Sequence, residues 1–323
     1  MATAEQIKSL IRSHLNANTE QFYTSALQIA SHEARQGHSA LAVKIREMID
    51  RSKKSMSSTN VLVFPQDLSG LIISENPAQP MATLVVKDPL KQRIEKIILE
   101  FRQQNKLKKH GMSHRRKILL AGAPGTGKTM TAQVLASELH QPLHVIQMDR
   151  MVTKFMGETS AKLRQIFEKI RDVAGVYLFD EFDAIGGERD LGNDVGEMRR
   201  VLSAFLQFIE NDISDNLIIA ATNNSRLLDR ALFRRFDDIL HYDLPDQEGR
   251  KRLIANLLGT FRSNQFPLEK AAAQGTGLSH SEIDRACLDA VKLAILNNKN
   301  RTTYASFKEL LKERHAAYKG TLR

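Results

Sequence analysis

The sequence predicts an α/β fold in which a parallel sheet of five strands lies between helices, with a small helical module before it and a helical domain after it. Three observations predict this. Short apolar runs at 118–121, 143–146, 176–179, 217–221 and 239–244 alternate with polar-apolar helical stretches, the pattern of strands buried on both faces. A glycine-rich loop joins the first run to a helix-forming stretch at 130–140. Beyond Pro245 no strand pattern remains, and residues 247–318 read as several helices.

The elements follow in chain order. Ile7, Leu10, Ile11 and Leu15, then Leu41, Ile45, Met48 and Ile49, recur at helical spacing, with breaks at 16–19 and 37–39, so residues 1–55 read as a helical N-terminal module. A Ser, Lys and Asn stretch at 51–60, followed by Pro65, Gly70, Pro77 and Pro80, makes residues 56–86 a linker. Leu90, Ile94, Ile97, Ile98 and Phe101 form a helical stripe with Lys and Arg between them. The strands fall within 87–245, and 246–323 is the helical domain.

Composition excludes several classes. The 323 residues are 42% hydrophobic and 26% charged, which suits a folded core rather than a disordered chain. Cys287 stands alone, so no internal disulfide forms and a reducing compartment is expected. The longest apolar runs are about a quarter of the roughly 20 residues a membrane span needs. The first residues, with Glu5 and Lys8, lack a signal-peptide pattern. A cytoplasmic protein with no membrane partner is therefore expected.

Net charge is +10, which by itself suggests a polyanion partner. The excess is local. Residues 87–117 carry 11 basic against 3 acidic side chains, and residues 299–323 carry 7 against 2. Residues 118–298 carry 21 against 25, so the region of the glycine loop is mildly acidic.

The loop reads Gly122-Ala-Pro124-Gly125-Thr126-Gly127-Lys128-Thr129, with Met130 opening the helix beyond it. Strand, glycine loop and helix arrive in the order a phosphate cradle needs. The glycines let amide N–H groups converge, and the helix presents its positive end to the same anion. Lys128 would reach the β and γ phosphates of a nucleotide, and the Thr129 hydroxyl would ligate Mg²⁺. Asp180 and Glu181 follow the third run, where Asp180 would hold the metal, directly or through water, and Glu181 would act as general base on the attacking water. Asn223 follows the fourth run, and its neutral amide suits sensing the γ phosphate or orienting the water. Arg230, Arg234 and Arg235 come next; guanidinium groups there would offset charge on the transferred phosphoryl group, in the same molecule or from a neighbouring one.

Taken together, GAPGTGKT, VYLFDEFDA, IIAATN and LLDRALFRRFD resemble the AAA clade of the AAA+ ATPases, the group of katanin, spastin and the ATPase part of FtsH. The resemblance covers residues 85–320. It implies a P-loop AAA+ sheet of five parallel strands with helices on both faces, a C-terminal helical lid, and a hexameric homo-oligomer with ATP and Mg²⁺ bound between subunits. Lys128 and Thr129 then take Walker A roles, Asp180 and Glu181 the Walker B roles, and Asn223 that of first sensor. Arg234 and Arg235 take the arginine-finger roles, adjacent here where the family separates them by two residues, so either one could reach the γ phosphate.

Lys154-Phe155-Met156-Gly157-Glu158 resembles the family's first pore loop, in which an aromatic and an aliphatic side chain grip a polypeptide in the central channel. Residues 186–196 resemble the second. Gly277-Leu-Ser-His-Ser281-Glu-Ile resembles the lid motif beside adenine and ribose, which makes Gly277 and Ser281 candidate contacts. His280 reads instead as a solvated helix-start residue, and Ser279 with Glu282 as a capping box.

The leading expectation is an ATP-hydrolysing motor that unfolds or threads polypeptide through a ring. The alternative is a nucleic-acid-associated ATPase, a loader or a transposition or plasmid-maintenance helper, suggested by the basic charge. Compact bacterial members of the resembling group are often paired with a separate subtilisin-like serine protease, for which the helical module would be an adaptor. No Asn-Lys-x-Asp guanine motif is present, and His32-Glu33 lacks a second histidine at zinc spacing.

Overall fold

Residues 117–122, which hold the first apolar run, form an interior strand, next to one edge, of a six-stranded sheet in the computed structural model of the chain. The structure describes residues 8, 19–38, 41–49, 68, 70–154, 158–185, 194–224 and 233–320. Two compact units divide the chain, Met1–Val63 and Phe64–Arg323. In the first, helix α1 spans Thr19–Arg35 and residues 41–49 are helical (α2). Ile7, Leu10, Ile11 and Leu15 lie outside the described residues.

The second unit holds the sheet, whose strands are β1 (Ile72–Glu75), β2 (Lys117–Gly122), β3 (Leu143–Gln147), β4 (Val176–Asp180), β5 (Leu217–Thr222) and β6 (Asp238–Tyr242), in the order β1-β3-β4-β5-β2-β6. Five strands are parallel, as expected. The sixth is a difference: β1 pairs antiparallel with β3, Ile72 opposite Ile146 and Glu75 opposite Leu143. It comes from the segment read as linker, because a four-residue strand between prolines gives no periodicity strong enough to read. The fifth apolar run ends as strand at Tyr242, short of Leu244.

Helices cover both faces because the strand residues alternate. On one face Ile118, Leu120, Leu178 and Ile219 pack with Ile94, Ile97 and Ile98 of α3 (Asp88–Arg102), and with Val134, Leu135 and Leu139 of a helix over Lys128–Leu139. A short helix α4, Gln104–Lys109, follows α3, and Lys128–Leu139 is α5. The other face carries an aromatic cluster. Phe179 of β4 lies 5.5 Å from Phe167 and 5.0 Å from Phe205, ring centre to ring centre. Phe167 belongs to α7 (Thr159–Asp172), which follows α6 (Met148–Lys154), and Phe205 belongs to α8 (Asp194–Asn211).

After β6 the chain is helical: α9 (Gln247–Leu258), α10 (Leu268–Gln274), α11 (His280–Leu296) and α12 (Tyr304–Gly320). They share a core of their own around Ile254, Phe266, Ile283, Cys287 and Phe307. Asp246 caps α9 by accepting from the Gly249 N–H at 2.7 Å, and α11 begins with the capping box of Ser279 and Glu282.

The basic stretch 87–117 is largely neutralised within its own chain. Lys87 pairs with Asp243, Lys91 with Glu95, Arg93 with Asp238, Arg102 with Glu138, Lys108 with Asp215, Arg115 with Glu100 and Asp238, and Arg116 with Asp212. Five of these acids, Asp243, Asp238, Glu138, Asp215 and Asp212, come from the mildly acidic region beyond residue 117. The two opposite charge excesses are therefore halves of one network. Among the described residues no helix is long and apolar enough to cross a membrane.

Candidate functional site

Parallel pairing brings the ends of three strands to one edge. Ala121 lies opposite Thr222, and Phe179 opposite Ala220, so the glycine loop after β2, the acids at the end of β4 and the asparagines after β5 share that edge. Ligands of open α/β sheets bind there, beyond the carboxyl ends of the strands.

A cleft of about 930 Å³ opens at this edge, at the upper end of the range for small-molecule sites. Pro124, Gly125, Thr126, Gly127, Lys128, Thr129, Met130, Asp180, Glu181, Asn223 and Ser281 all line it. Gly125 and Gly127 have φ of +71° and +100°, a left-handed backbone that turns successive amides toward one point. Gly122 stands behind the cleft and does not line it. A Cβ there would lie 2.2 Å from the Tyr242 carbonyl oxygen, so the glycine permits close pairing of β2 with β6.

The Lys128 ammonium is buried and donates to the carbonyls of Gly122 at 2.8 Å and Ala123 at 2.9 Å. Burial lowers its pKa, and Asp180 and Asp183 act against that shift. The Thr129 hydroxyl donates to Asp180 Oδ2 at 3.2 Å. Two oxygens in adjacent positions around a small octahedral cation, each about 2.1 Å from it, stand about 3 Å apart. The pair fits a hard divalent ion that takes its other ligands from phosphate and water. Among the described residues no group of three or more His, Cys, Asp or Glu side chains is arranged to hold a metal, which leaves this low-carboxylate arrangement.

Glu181 adopts φ +53°, unusual outside glycine, and its N–H donates to Asp180 Oδ1 at 3.0 Å. Its pKa is raised, first by desolvation and then by Asp149, Asp180 and Asp183, the direction that favours accepting a proton. The Asn223 N–H donates to Asp183 Oδ1 at 3.1 Å. Asp183 thus links the asparagine to the carboxylates, a role that sequence reading missed although it lies only two positions beyond Glu181.

Two further walls went unforeseen. Gln79 and residues 82–85, inside the segment read as linker, line one side. They are pinned by the Met81 N–H donating to Glu138 Oε1 at 3.0 Å, and so short a stretch after Pro80 carries no periodicity that signals this placement. Leu253, Asn256, Leu257 and Asp284 line another side from α9 and α11. His280 corrects the expectation of a solvated residue: it lines the cleft, and its Nε2 lies 3.0 Å from the Val85 carbonyl, which requires the proton on Nε2. Burial lowers its pKa. The Ser281 N–H donates to the Gly125 carbonyl at 3.0 Å, so the start of α11 bonds directly to the glycine loop. Gly277, the other candidate lid contact, does not line the cleft; its φ of +87° serves the turn between α10 and α11.

Arg234 and Arg235 do not line the cleft. They precede β6, whose Asp238 lies opposite Ile118 while Tyr242 lies opposite Gly122. Four residues at about 3.3 Å each put roughly 13 Å of strand between the arginine turn and the glycine loop. Phe155, Met156 and Arg230 lie outside the described residues, as do 186–193 of the second pore-loop segment.

The family model described as "ATPase family associated with various cellular activities (AAA)" matches residues 118–244. "Uncharacterized AAA family ATPase y4kL" of Sinorhizobium fredii is 31% identical over 97% of the chain and 96% of its own length. "ATP-dependent zinc metalloprotease FtsH 4" of Sphaerobacter thermophilus is 30% identical over 80% of the chain and 40% of its own length. "Proteasome-activating nucleotidase" of Saccharolobus islandicus is 32% identical over 68% of the chain and 58% of its own length. The chain thus spans about half the length of the last two.

Proposed function

Because the chain belongs to the AAA family of ATPases, whose general activity is ATP hydrolysis, we propose that it is a protein-remodelling motor working as a homo-oligomeric ring, a hexamer. The observation that carries the ring is the separation of the arginine turn from the chain's own cleft. Among the described residues no arginine lines the cleft, and in this reading the arginine turn of the next copy completes it; such a group is worth about 10³–10⁵ in rate.

In the cleft, the loop amides and the start of α5 hold the phosphates. Lys128 exchanges the carbonyls of Gly122 and Ala123 for the β and γ phosphates, trading neutral acceptors for charged ones. Thr129 and Asp180 would hold Mg²⁺, which when bound neutralises phosphate charge. Glu181 takes the proton of the attacking water, and Asn223, fixed through Asp183, orients that water. The lid, residues 246–323, closes the base side of the cleft in the 87–245 nucleotide domain. Residues 1–55 act as adaptor, for substrate or for a separate serine protease.

Polypeptide is the cargo this reading favours. The proteolytic systems in the names of two relatives support it, as does the resemblance of the segment with Phe155 and Met156 to a pore loop. Nucleic acid fits less well, because seven of the basic side chains in 87–117 already have carboxylate partners within the chain. The test uses Glu181→Gln, which should bind ATP and turn over at least ~100-fold more slowly. Protein trapped with ATP and recovered from its host should hold polypeptide, and its loss in Phe155→Ala would support the pore assignment. Recovered nucleic acid, or ATPase activity stimulated by DNA and unaffected by Phe155→Ala, would overturn the reading.

A further inference from the structure

Asp284 is the carboxylate on the lid wall of the cleft, and neither the phosphate site nor the bonding of the lid accounts for it. The polar groups beside it are committed. His280 donates Nε2–H to the Val85 carbonyl at 3.0 Å, the Ser281 N–H donates to the Gly125 carbonyl at 3.0 Å, and Ser279 and Glu282 close the capping box. Asp284 is half-buried and makes no hydrogen bond or ion pair among the described residues. Desolvation raises its pKa, and only the neighbouring Arg285 acts against that shift. Partly desolvated acceptor oxygens without donors are costly, and a ligand that brings O–H or N–H groups relieves the cost.

Position on the helix selects which part of a nucleotide supplies those donors. Ser281 abuts the glycine loop, since a Cβ on Gly125 would stand 2.2 Å from Ser281 Oγ. Asp284 follows three residues later, about 4.5 Å along the helix axis and on the same face. In a nucleotide held by its phosphates, the group directly beyond them is the sugar, and the vicinal hydroxyls are the donors it carries. The base lies farther on, where Leu253 and Leu257 of α9 and Leu84 of the facing segment offer apolar surface. Two carboxylate oxygens match two adjacent hydroxyls.

We propose that Asp284 accepts hydrogen bonds from the ribose 2′ and 3′ hydroxyls, so that the cleft selects ribonucleotides over deoxyribonucleotides. The assignment rests on the nucleotide reading of the cleft. A site built to pair a hydroxyl rejects the analogue that lacks it, because its own buried acceptor is then left unpaired.

Calorimetry with ADP, 2′-deoxy-ADP, 3′-deoxy-ADP and 2′,3′-dideoxy-ADP tests this without turnover. Wild type should bind ADP about 10–100-fold more tightly than the dideoxy analogue, the scale of hydrogen bonds to a charged acceptor. The two singly deoxygenated compounds should fall between. Asp284→Ala should shrink the ratio to about threefold or less by weakening ADP alone. It should hold the dideoxy analogue at least as tightly as wild type does, which also shows that the cleft is folded. Asp284→Asn, which keeps the shape and one neutral acceptor, should have an intermediate ratio. Inosine diphosphate separates sugar from base: its affinity relative to ADP should be the same in wild type and Asp284→Ala. A hydroxyl preference that survives Asp284→Ala, or a preference for ADP over inosine diphosphate that disappears with the carboxylate, overturns the assignment. ADP binding that depends on Lys128 but shows no hydroxyl preference overturns the ribose contact alone. Failure of wild type to bind ADP overturns the nucleotide reading with it.

Discussion

Replacing Gly125 with alanine sets a methyl group into the contact between the glycine loop and the start of α11. The new Cβ would stand 2.2 Å from Ser281 Oγ, 2.8 Å from Ser279 Oγ and 3.2 Å from Ser281 Cβ. The hydroxyls can rotate away, but Ser281 Cβ moves only with the backbone, so α11 must back off by a few tenths of an ångström. That shift stretches the 3.0 Å bond from the Ser281 N–H to the Gly125 carbonyl, a bond of about 1 kcal/mol net. Holding alanine at φ +71° costs roughly 1–2 kcal/mol more, and overpacking about 1 kcal/mol. Gly125→Ala should therefore destabilise by about 2–4 kcal/mol, lowering the melting temperature by roughly 5–10 °C in a unit of this size. Thermal unfolding without nucleotide measures this. Adding Ser281→Gly removes the two opposing atoms of Ser281 and leaves only the rotatable Ser279 hydroxyl, so the double variant should recover roughly 1–2 kcal/mol relative to additivity while the backbone penalty remains. A Gly125→Ala protein that melts within a degree of wild type, or strict additivity with Ser281→Gly, would show that the loop and lid do not touch as described.

Lys128→Ala should weaken ATP binding about 10–100-fold in calorimetry, the loss of one charge-assisted contact to phosphate; unchanged affinity would place Lys128 elsewhere. His144, buried against Tyr177, has its pKa lowered to about 4 by desolvation. The unfolded chain therefore binds this proton first as pH falls below about 6.5, and stability should drop by about 3 kcal/mol between pH 6.5 and 4 while being insensitive to this group above 6.5. Urea unfolding across that range should be flatter for His144→Gln, and an equally steep slope would assign the effect to other groups. Asp238 pairs with both Arg93 and Arg115 and its side chain is 9% exposed. Asp238→Asn should cost about 2–4 kcal/mol in urea unfolding, because Arg93 loses its countercharge and Arg115 keeps only Glu100; a change under about 0.5 kcal/mol would refute the pairing.

The five parallel strands and the residues of the phosphate loop were legible because both rest on local rules. A strand buried on both faces must be apolar throughout, and a backbone that cradles phosphate needs glycine at fixed places. The walls of the cleft were not legible. The segment with Gln79 and residues 82–85 is held beside the cleft by a bond from Met81 to Glu138, 57 positions away, and no periodicity encodes such a contact. His280 looked solvated because a polar residue at a helix start usually is; its partner, Val85, lies 195 positions away.

Charge shows the same division. Composition determined that a basic stretch at 87–117 precedes a mildly acidic region, and by itself that invited a polyanion partner. Only tertiary structure decided that five acids of the second region pair with basic side chains of the first, because ion pairing depends on distance in space and a sequence records only distance along the chain. The arginine turn is the other case. Its residue types were plain from the sequence; that Arg235 is tied to Glu210 while Arg234 stands free, at the far end of the sheet from the chain's own cleft, follows from strand register and helix placement alone.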